Sequence, residues 1–310
     1  MGMTENMGKI TKSTGRVLAV ATCALMSLSQ PVTASNHDCA GFLPPNEMKV
    51  PVGFKATAGS PGSLTEAQFN SVLDRAQKLF GPVIAQEGGT LKINRLWSDA
   101  TVNASAQQIG SSWVLNMYGG LARHPATTEE GFALVVCHEL GHHLGGAPKI
   151  AGWFGGSNWA SNEGASDYYA NLKCLRNFYE QDDNKAIVAQ AKADQRLDAF
   201  AEKLCIQQFN DEKDQLICMR NSLGGTSVAG LFQDLRKETT PPDYSKPDAR
   251  RVAKTDDKHP ATQCRMDTYL AGSVCPVDKT VKLSNSDYRQ GSCVEGSYSV
   301  GYRPRCWFAP

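Results

Sequence analysis

The sequence lacks an excess of charge of either sign. It carries 32 Lys and Arg residues against 31 Asp and Glu, for a formal net charge of +1 at pH 7. Proteins that bind nucleic acid or anionic surfaces generally carry a basic patch or a basic net charge. We therefore expect no nucleic-acid partner and no binding to an anionic surface. The sequence contains no internal repeat either.

Long apolar runs are also scarce. The N-terminal run, residues 17–28, is far shorter than the roughly 20 residues that a membrane-spanning helix needs. Basic residues between Lys9 and Arg16 precede it and the small residue Ala34 follows it, an order typical of a signal peptide. We predict a signal peptide over residues 1–34, cleavage after Ala34, no membrane span after cleavage, and a periplasmic or secreted location. An uncleaved membrane anchor is the alternative.

No group of cysteines has the close paired spacing of a structural zinc site. Of the ten cysteines only Cys23 precedes the predicted cleavage site, and an exported chain this rich in cysteine is expected to form disulfides. The remaining number is odd, so we predict that Cys137, which lies in an apolar helical run, is unpaired and buried. The expected local pairs are Cys205 with Cys218, and pairs among Cys264, Cys275, Cys293 and Cys306.

The spacing of apolar residues predicts an α+β fold with a small sheet and several helices. Helices are predicted from a Ser63–Glu66 capping box to about Phe80, from a Thr127–Glu130 capping box to Leu144, from Asn162 onward, and in two or three pieces over residues 184–236. Strands are predicted over residues 91–96, 101–109 and 112–117, with Gly110 at a turn. Residues 147–161 are predicted to form a loop, and residues 237–258 a surface linker.

Three of the six histidines fall between residues 138 and 143, in a string that begins His138-Glu139-Leu140-Gly141-His142. Residues four apart lie on one face of a helix, so both imidazoles can reach one metal ion. Glu139 is offset by one position and can face a water molecule on that metal without being a ligand. The string therefore predicts a hydrolytic metal site with Glu139 as general base.

A catalytic zinc site needs a third protein ligand and an open fourth position. Glu163 follows in a segment that is predicted to be the next helix, and we expect it to be that ligand. Asp167 lies one helical turn further, on the same face, where it can accept the ring N–H of His138. The alternative is an ordinary solvated acidic face. We expect one zinc ion per chain, since two histidines and a glutamate with an open position favour zinc.

These motifs resemble the gluzincin metallopeptidases, whose pattern is HExxH followed by ExxxD. Within them the sequence looks most like the family of HtpX, BepA and the CAAX prenyl proteases, and the resemblance covers roughly residues 63–270. It implies a zincin-like metallopeptidase domain with a small mixed sheet over those residues. Composition predicts an N-terminal arm (35–62), rich in Pro, Gly and Ala, before this domain and a cysteine-rich extension (271–310) after it. The family's membrane helices are absent, and the stretch between His142 and Glu163 is shorter than usual.

The resemblance also implies further site residues. Asn103, Ala104 and Ser105 look like the family's edge strand, along which a substrate peptide binds, although Ser105 stands where a Phe is common. His259 and Arg265 resemble a late His-Pro…Arg motif, whose side chains help to stabilise the oxyanion or, in some relatives, block the metal.

The predicted function is hydrolysis of peptide bonds in exported proteins by a zinc-dependent endopeptidase, with a peptide or protein as the partner. One alternative is an inactive, zinc-binding relative that acts as a chaperone or assembly factor. Another is a latent enzyme in which His259 caps the zinc. A disulfide-rich binding module with an accidental HExxH is the third, and it predicts no stoichiometric zinc.

Overall fold

The computed structural model describes residues 1–2, 41–57, 59–152 and 157–310. The predicted signal peptide and Cys39 therefore lie outside the described residues. The described part has an α+β fold, and its residues from Gly41 onward belong to one compact unit. No helix in the described ranges is both long enough and apolar enough to cross a membrane.

Three strands form the larger sheet, in the order β1-β3-β2: β1 (Thr90–Leu96), β2 (Ala104–Ile109) and β3 (Ser112–Tyr118). β1 pairs parallel to β3, and β2 pairs antiparallel to β3 with Ala104 opposite Met117. Gly110 takes a φ of +58° in the turn between β2 and β3, a conformation that favours glycine. The three predicted strands and their turn are confirmed, and β2 lies at an edge of the sheet.

The first helix, α1 (Glu66–Gln86), differs from its prediction at both ends. Its capping box is formed by Thr65 and Gln68, while Ser63 takes a φ of +101° outside the helix. It continues through Pro82 to Gln86, and Ile84 beyond the proline is buried. The predicted end at about Phe80 was therefore wrong.

The HExxH string lies on α3 (Glu129–Leu144), which begins at an N-cap Thr128 and ends at Gly145. The predicted helix is confirmed, with its start shifted by one residue from Thr127. The predicted loop after it contains a short hairpin of β4 (Lys149–Ala151) and β5 (Ser157–Ser161). Strands this short carry too few residues for an alternating pattern to show in the sequence.

The remaining secondary-structure elements up to residue 274 are helices. A short α2 (Gly119–Ala122) follows the sheet, and α4 (Glu163–Tyr169) continues through a π-helical turn (Ala170–Cys174) into α5 (Leu175–Phe178). The predicted two or three helical pieces are α6 (Asn184–Ala193), α7 (Ala199–Gln208) and α8 (Glu212–Arg236). Residues 237–258 contain no helix or strand, and α9 (Thr262–Val274) spans the predicted boundary at residue 270.

Four disulfides join the cysteines of the described ranges. Cys205 pairs with Cys218 as predicted, and the four late cysteines pair as Cys264–Cys306 and Cys275–Cys293. The prediction that Cys137 is unpaired was wrong, because it bonds Cys174 at a Cα–Cα distance of 5.5 Å. The helical segment after Asn162 runs back beside α3, and only this tertiary approach brings the two thiols together.

Candidate metal centre

Two packed helices bring the predicted ligands together. α3 carries His138 and His142 on one face, and the N-cap Asn162, whose side chain accepts from the main chain of Ala165, begins α4 directly before Glu163. A Cβ on Gly141 would lie 2.8 Å from the Cα of Ser166, so glycine lets the two helices approach closely. The three ligand candidates are at most 3 % exposed.

The ligand atoms of His138, His142 and Glu163 all lie within 4.8 Å of one another. Glu163 Oε2 is 3.4 Å from His138 Nε2, and Glu163 Oε1 is 3.8 Å from His142 Nε2. Both Nε2 atoms and Glu163 Oε2 are buried without a hydrogen-bond partner among the described residues. Buried polar atoms without partners are costly, and a metal ion at their common focus would satisfy all three.

Hydrogen bonds on the far side of each ring hold the two histidines in place. His138 Nδ1 donates to Asp167 Oδ1 at 2.7 Å, and His142 Nδ1 donates to the main-chain oxygen of Ser161 at 2.9 Å. In a neutral ring with Nδ1 as the donor, Nε2 presents a lone pair to the focus. This is the tautomer that a metal ligand needs, and Asp167 contacts His138 as predicted.

The electrostatic surroundings give the two histidines different pKa values. Burial alone lowers the pKa of both, but the carboxylates of Asp167 and Glu163 raise the pKa of His138 to about 9. Burial dominates at His142 and lowers its pKa to about 4. Burial opposes ionisation of Glu163, yet the close approach of His138 at 3.4 Å and the charges of the histidines lower its pKa to about 2. The third ligand candidate is therefore a carboxylate.

Glu139 is fully buried beside these ligands. Both of its carboxylate oxygens lack a hydrogen-bond partner among the described residues. Burial, followed by smaller effects of neighbouring charges, raises its pKa to about 8. A carboxyl group whose pKa lies near neutrality can both accept and release a proton.

Arg265 lies on the side of His138 that faces Asp167. Its Nη2 donates to Asp167 Oδ1 at 2.7 Å, and its Nη1 is 3.7 Å from Glu163 Oε2. The guanidinium is held between the rings of Phe42 and Phe232, at 4.6 and 4.4 Å from their centroids. Arg265 thus links the third ligand candidate to the carboxylate that orients the first.

His259 lies on the other side of Glu163, with its Nε2 3.5 Å from Glu163 Oε2. The same nitrogen donates to the main-chain oxygen of Gly41 at 2.8 Å. Burial is the main reason that the pKa of His259 is lowered. The structure therefore brings both late-motif side chains to the centre.

The predicted edge-strand residues separate into two groups. Asn103 and Ala104 contact the N-terminal arm: Asn103 Oδ1 accepts from the main-chain N–H of Leu43 at 2.9 Å, and Ala104 O accepts from Phe42 N at 2.8 Å. Ser105 Oγ instead accepts from Asn116 Nδ2 on β3 at 3.1 Å. Ser105 thus bonds within the sheet.

Sequence reasoning missed several residues at the centre. Phe42 contacts His138 with its ring edge, at a centroid distance of 4.9 Å. Trp307 packs on Gly164, where a Cβ would meet the indole ring at 2.2 Å. His143 is stacked between Trp113 and Trp159, with centroid distances of 4.9 and 4.6 Å. All of these contacts join residues that are distant in the sequence, and no local sequence pattern predicts them.

A second group of potential ligand atoms consists of Asp248, Cys264 and Cys306. Its two sulfur atoms are joined in a disulfide, so they offer no thiolate to a metal.

Comparison of the chain with family models, with curated proteins and with solved structures finds no significant match in any of the three.

Proposed function

We propose that this chain is a zinc-dependent endopeptidase of the gluzincin type that hydrolyses peptide bonds of exported proteins. The observation that carries the proposal is the convergence of three buried, unpartnered ligand atoms beside the buried Glu139. Two imidazoles and one carboxylate with room for a fourth group form the donor set of catalytic zinc sites. The sequence resemblance to the HtpX, BepA and CAAX protease family points the same way.

When bound, the metal supplies a Lewis acid that polarises the substrate carbonyl and lowers the pKa of water to about 7. The side chains of the protein transfer protons, donate hydrogen bonds and position the ligands. Glu139 accepts the proton of the attacking water and later passes it to the leaving amine. His259 donates a hydrogen bond toward the carbonyl oxygen as negative charge develops on it. Asp167 and Arg265 hold His138 and Glu163 in place.

The substrate backbone adds to the edge of β2. An extended peptide there bonds to main-chain groups of the strand, which gives affinity without demanding a particular side chain. Ala104 O and the Asn103 side chain already bind main-chain groups of Phe42 and Leu43, which belong to the protein's own N-terminal arm.

The test is zinc content and cleavage of casein by the purified protein, by Glu139→Gln and by Glu129→Gln. Glu129 is an exposed acid on the first turn of the same helix, so it is the matched control. We expect one zinc per chain in all three and turnover reduced by at least about 100-fold in Glu139→Gln alone. Absence of zinc from the wild-type protein would exclude the proposal, and zinc without turnover would favour the chaperone alternative.

A further inference from the structure

The N-terminal arm occupies the position that a substrate peptide would take. Phe42 donates its main-chain N–H to Ala104 O at 2.8 Å, which is one of the bonds that a peptide on the edge of β2 would make, although the chain bends at Phe42 and Leu43 and forms no strand there. The Asn103 side chain binds Leu43 twice, accepting from its N–H at 2.9 Å and donating to its oxygen at 3.1 Å. Asn103 and Ala104 are the residues that the sequence assigns to substrate binding.

The two carbonyl groups of this segment contact the two late-motif side chains. His259 Nε2 donates to Gly41 O at 2.8 Å, and Arg265 Nη1 donates to Phe42 O at 3.1 Å. The same His259 nitrogen is 3.5 Å from Glu163 Oε2. The His259 nitrogen therefore lies between the carbonyl of Gly41 and the third ligand candidate, and it donates to this carbonyl as it would to the oxygen of a bound substrate.

The side chains of the segment fit the same site. A Cβ on Gly41 would lie 2.8 Å from Asn103 Nδ2 and 2.9 Å from Ala104 O, so only glycine fits there without displacement. The buried ring of Phe42 packs against Phe232 as well as against His138. Main-chain bonds, carbonyl contacts and shape thus all place the Gly41–Phe42 peptide bond beside the metal ligands.

We propose that residues 41–43 are an intramolecular substrate and that the Gly41–Phe42 bond is the first peptide bond that this site hydrolyses. The inference rests on the proposed peptidase function and specifies how its activity is controlled. Water adds to the carbonyl carbon of Gly41 while Glu139 accepts a proton. The C–N bond then breaks, Gly41 leaves as a carboxylate, and Phe42 takes the proton as the new amino terminus. Until this step the Gly41 carbonyl occupies His259 and excludes the carbonyl of an external peptide.

The first experiment reads the amino terminus of the full chain, purified as wild type and as Glu139→Gln, by N-terminal sequencing and intact mass. We expect the wild type to begin at Phe42 and the variant to begin upstream of Gly41. Casein turnover and zinc content are measured on the same samples. Turnover by a wild type that still retains Gly41 would overturn this inference and leave the proposed function standing, whereas absence of zinc would exclude the proposed function itself.

The second experiment needs no turnover. Amide hydrogen exchange is measured at Phe42 and Leu43 in Glu139→Gln, in which the arm stays uncut. We expect protection of both amides, and exchange faster by about tenfold or more when Gly41→Val is added, because the new side chain displaces two hydrogen bonds. Val52→Ala, at an exposed position of the same arm, is the control and should leave both rates unchanged. Unprotected amides in Glu139→Gln would overturn the inference.

Discussion

Two segments flank the candidate metal centre, and they are held in opposite ways. Residues 41–43 of the arm are bound by hydrogen bonds from groups that we propose bind substrate, and by packing of the Phe42 ring. The tail, residues 275–310, is tied to α9 by the Cys264–Cys306 disulfide, is closed on itself by Cys275–Cys293, and is anchored by the buried Trp307. A segment held by hydrogen bonds and packing can be exchanged for another peptide, whereas one cross-linked by a disulfide fixes the geometry of its neighbours.

The tail acts on the centre through the helix that carries Glu163. Trp307 fills the space over Gly164 and donates its indole N–H to Thr268 Oγ1 of α9 at 3.0 Å. The Cys264–Cys306 disulfide ties the preceding residue of the tail to α9, directly beside Arg265. The tail therefore clamps α4 against α9.

The largest expected effect comes from removing the tail's anchor. Trp307→Ala should destabilise the fold by about 3–5 kcal/mol, because truncating a fully buried tryptophan leaves a cavity. Zinc affinity should fall as well, since the cavity lies against the residue after Glu163. Thermal unfolding and a chelator competition measure the two effects. Tyr298→Ala, at an exposed tail position, is the control, and equal losses in both variants would contradict the clamp.

Two disulfides can be compared directly. Removing Cys264–Cys306 or Cys205–Cys218 by paired Ser substitutions should cost about 2–5 kcal/mol of stability in each case. Only the first pair adjoins the metal centre, so we expect weaker zinc binding in Cys264→Ser/Cys306→Ser alone. Zinc titration of both variants at a temperature where each is folded makes the comparison. An equal loss of affinity would show that general destabilisation, not position, is responsible.

The next effect concerns the ring orientation at His138. Asp167→Asn keeps the size of the side chain but removes the carboxylate that accepts from His138 and from Arg265. Loss of such a partner typically weakens metal binding by about 10–100-fold. Competition with a chelator measures the change, and Asp183→Asn, an N-cap acid of α6 in the described ranges, is the control. Unchanged affinity would mean that Asp167 does not orient the ligand.

The smallest expected effect lies on the arm. Asn103→Ala removes the two bonds to Leu43 and should cost only about 1–3 kcal/mol of stability. We expect zinc content to stay at one per chain, because no ligand candidate contacts Asn103. Denaturant unfolding together with metal analysis checks both statements. A loss of zinc would show that the arm, like the tail, supports the centre.

Local signals allowed much of the site to be predicted. Helical spacing places His138 and His142 on one face, and Asn162 begins the next helix just before Glu163. The three strands follow from short apolar runs bounded by glycine. These features depend on neighbours within a few residues along the chain, which is the range over which periodicity and capping act.

The errors and omissions depend on tertiary contacts. Cys137 lies in an apolar helical run, and nothing near it in the chain indicates that Cys174 packs alongside. Phe42 reaches His138 across almost a hundred residues, and Trp307 reaches Gly164 from the opposite end of the chain. A single sequence contains no record of such approaches, because they result from how whole elements pack.

The Cys137–Cys174 disulfide makes the structure of the centre depend on the redox state of its compartment. It joins the residue before His138 to the π-helical turn that follows the helix of Glu163, and so it links the two ligand-bearing elements covalently. Thiols stay reduced in the cytosol and oxidise after export. In an exported chain this bond forms only after export, so the covalent link between the two ligand-bearing elements is absent while the chain is still in the cytosol.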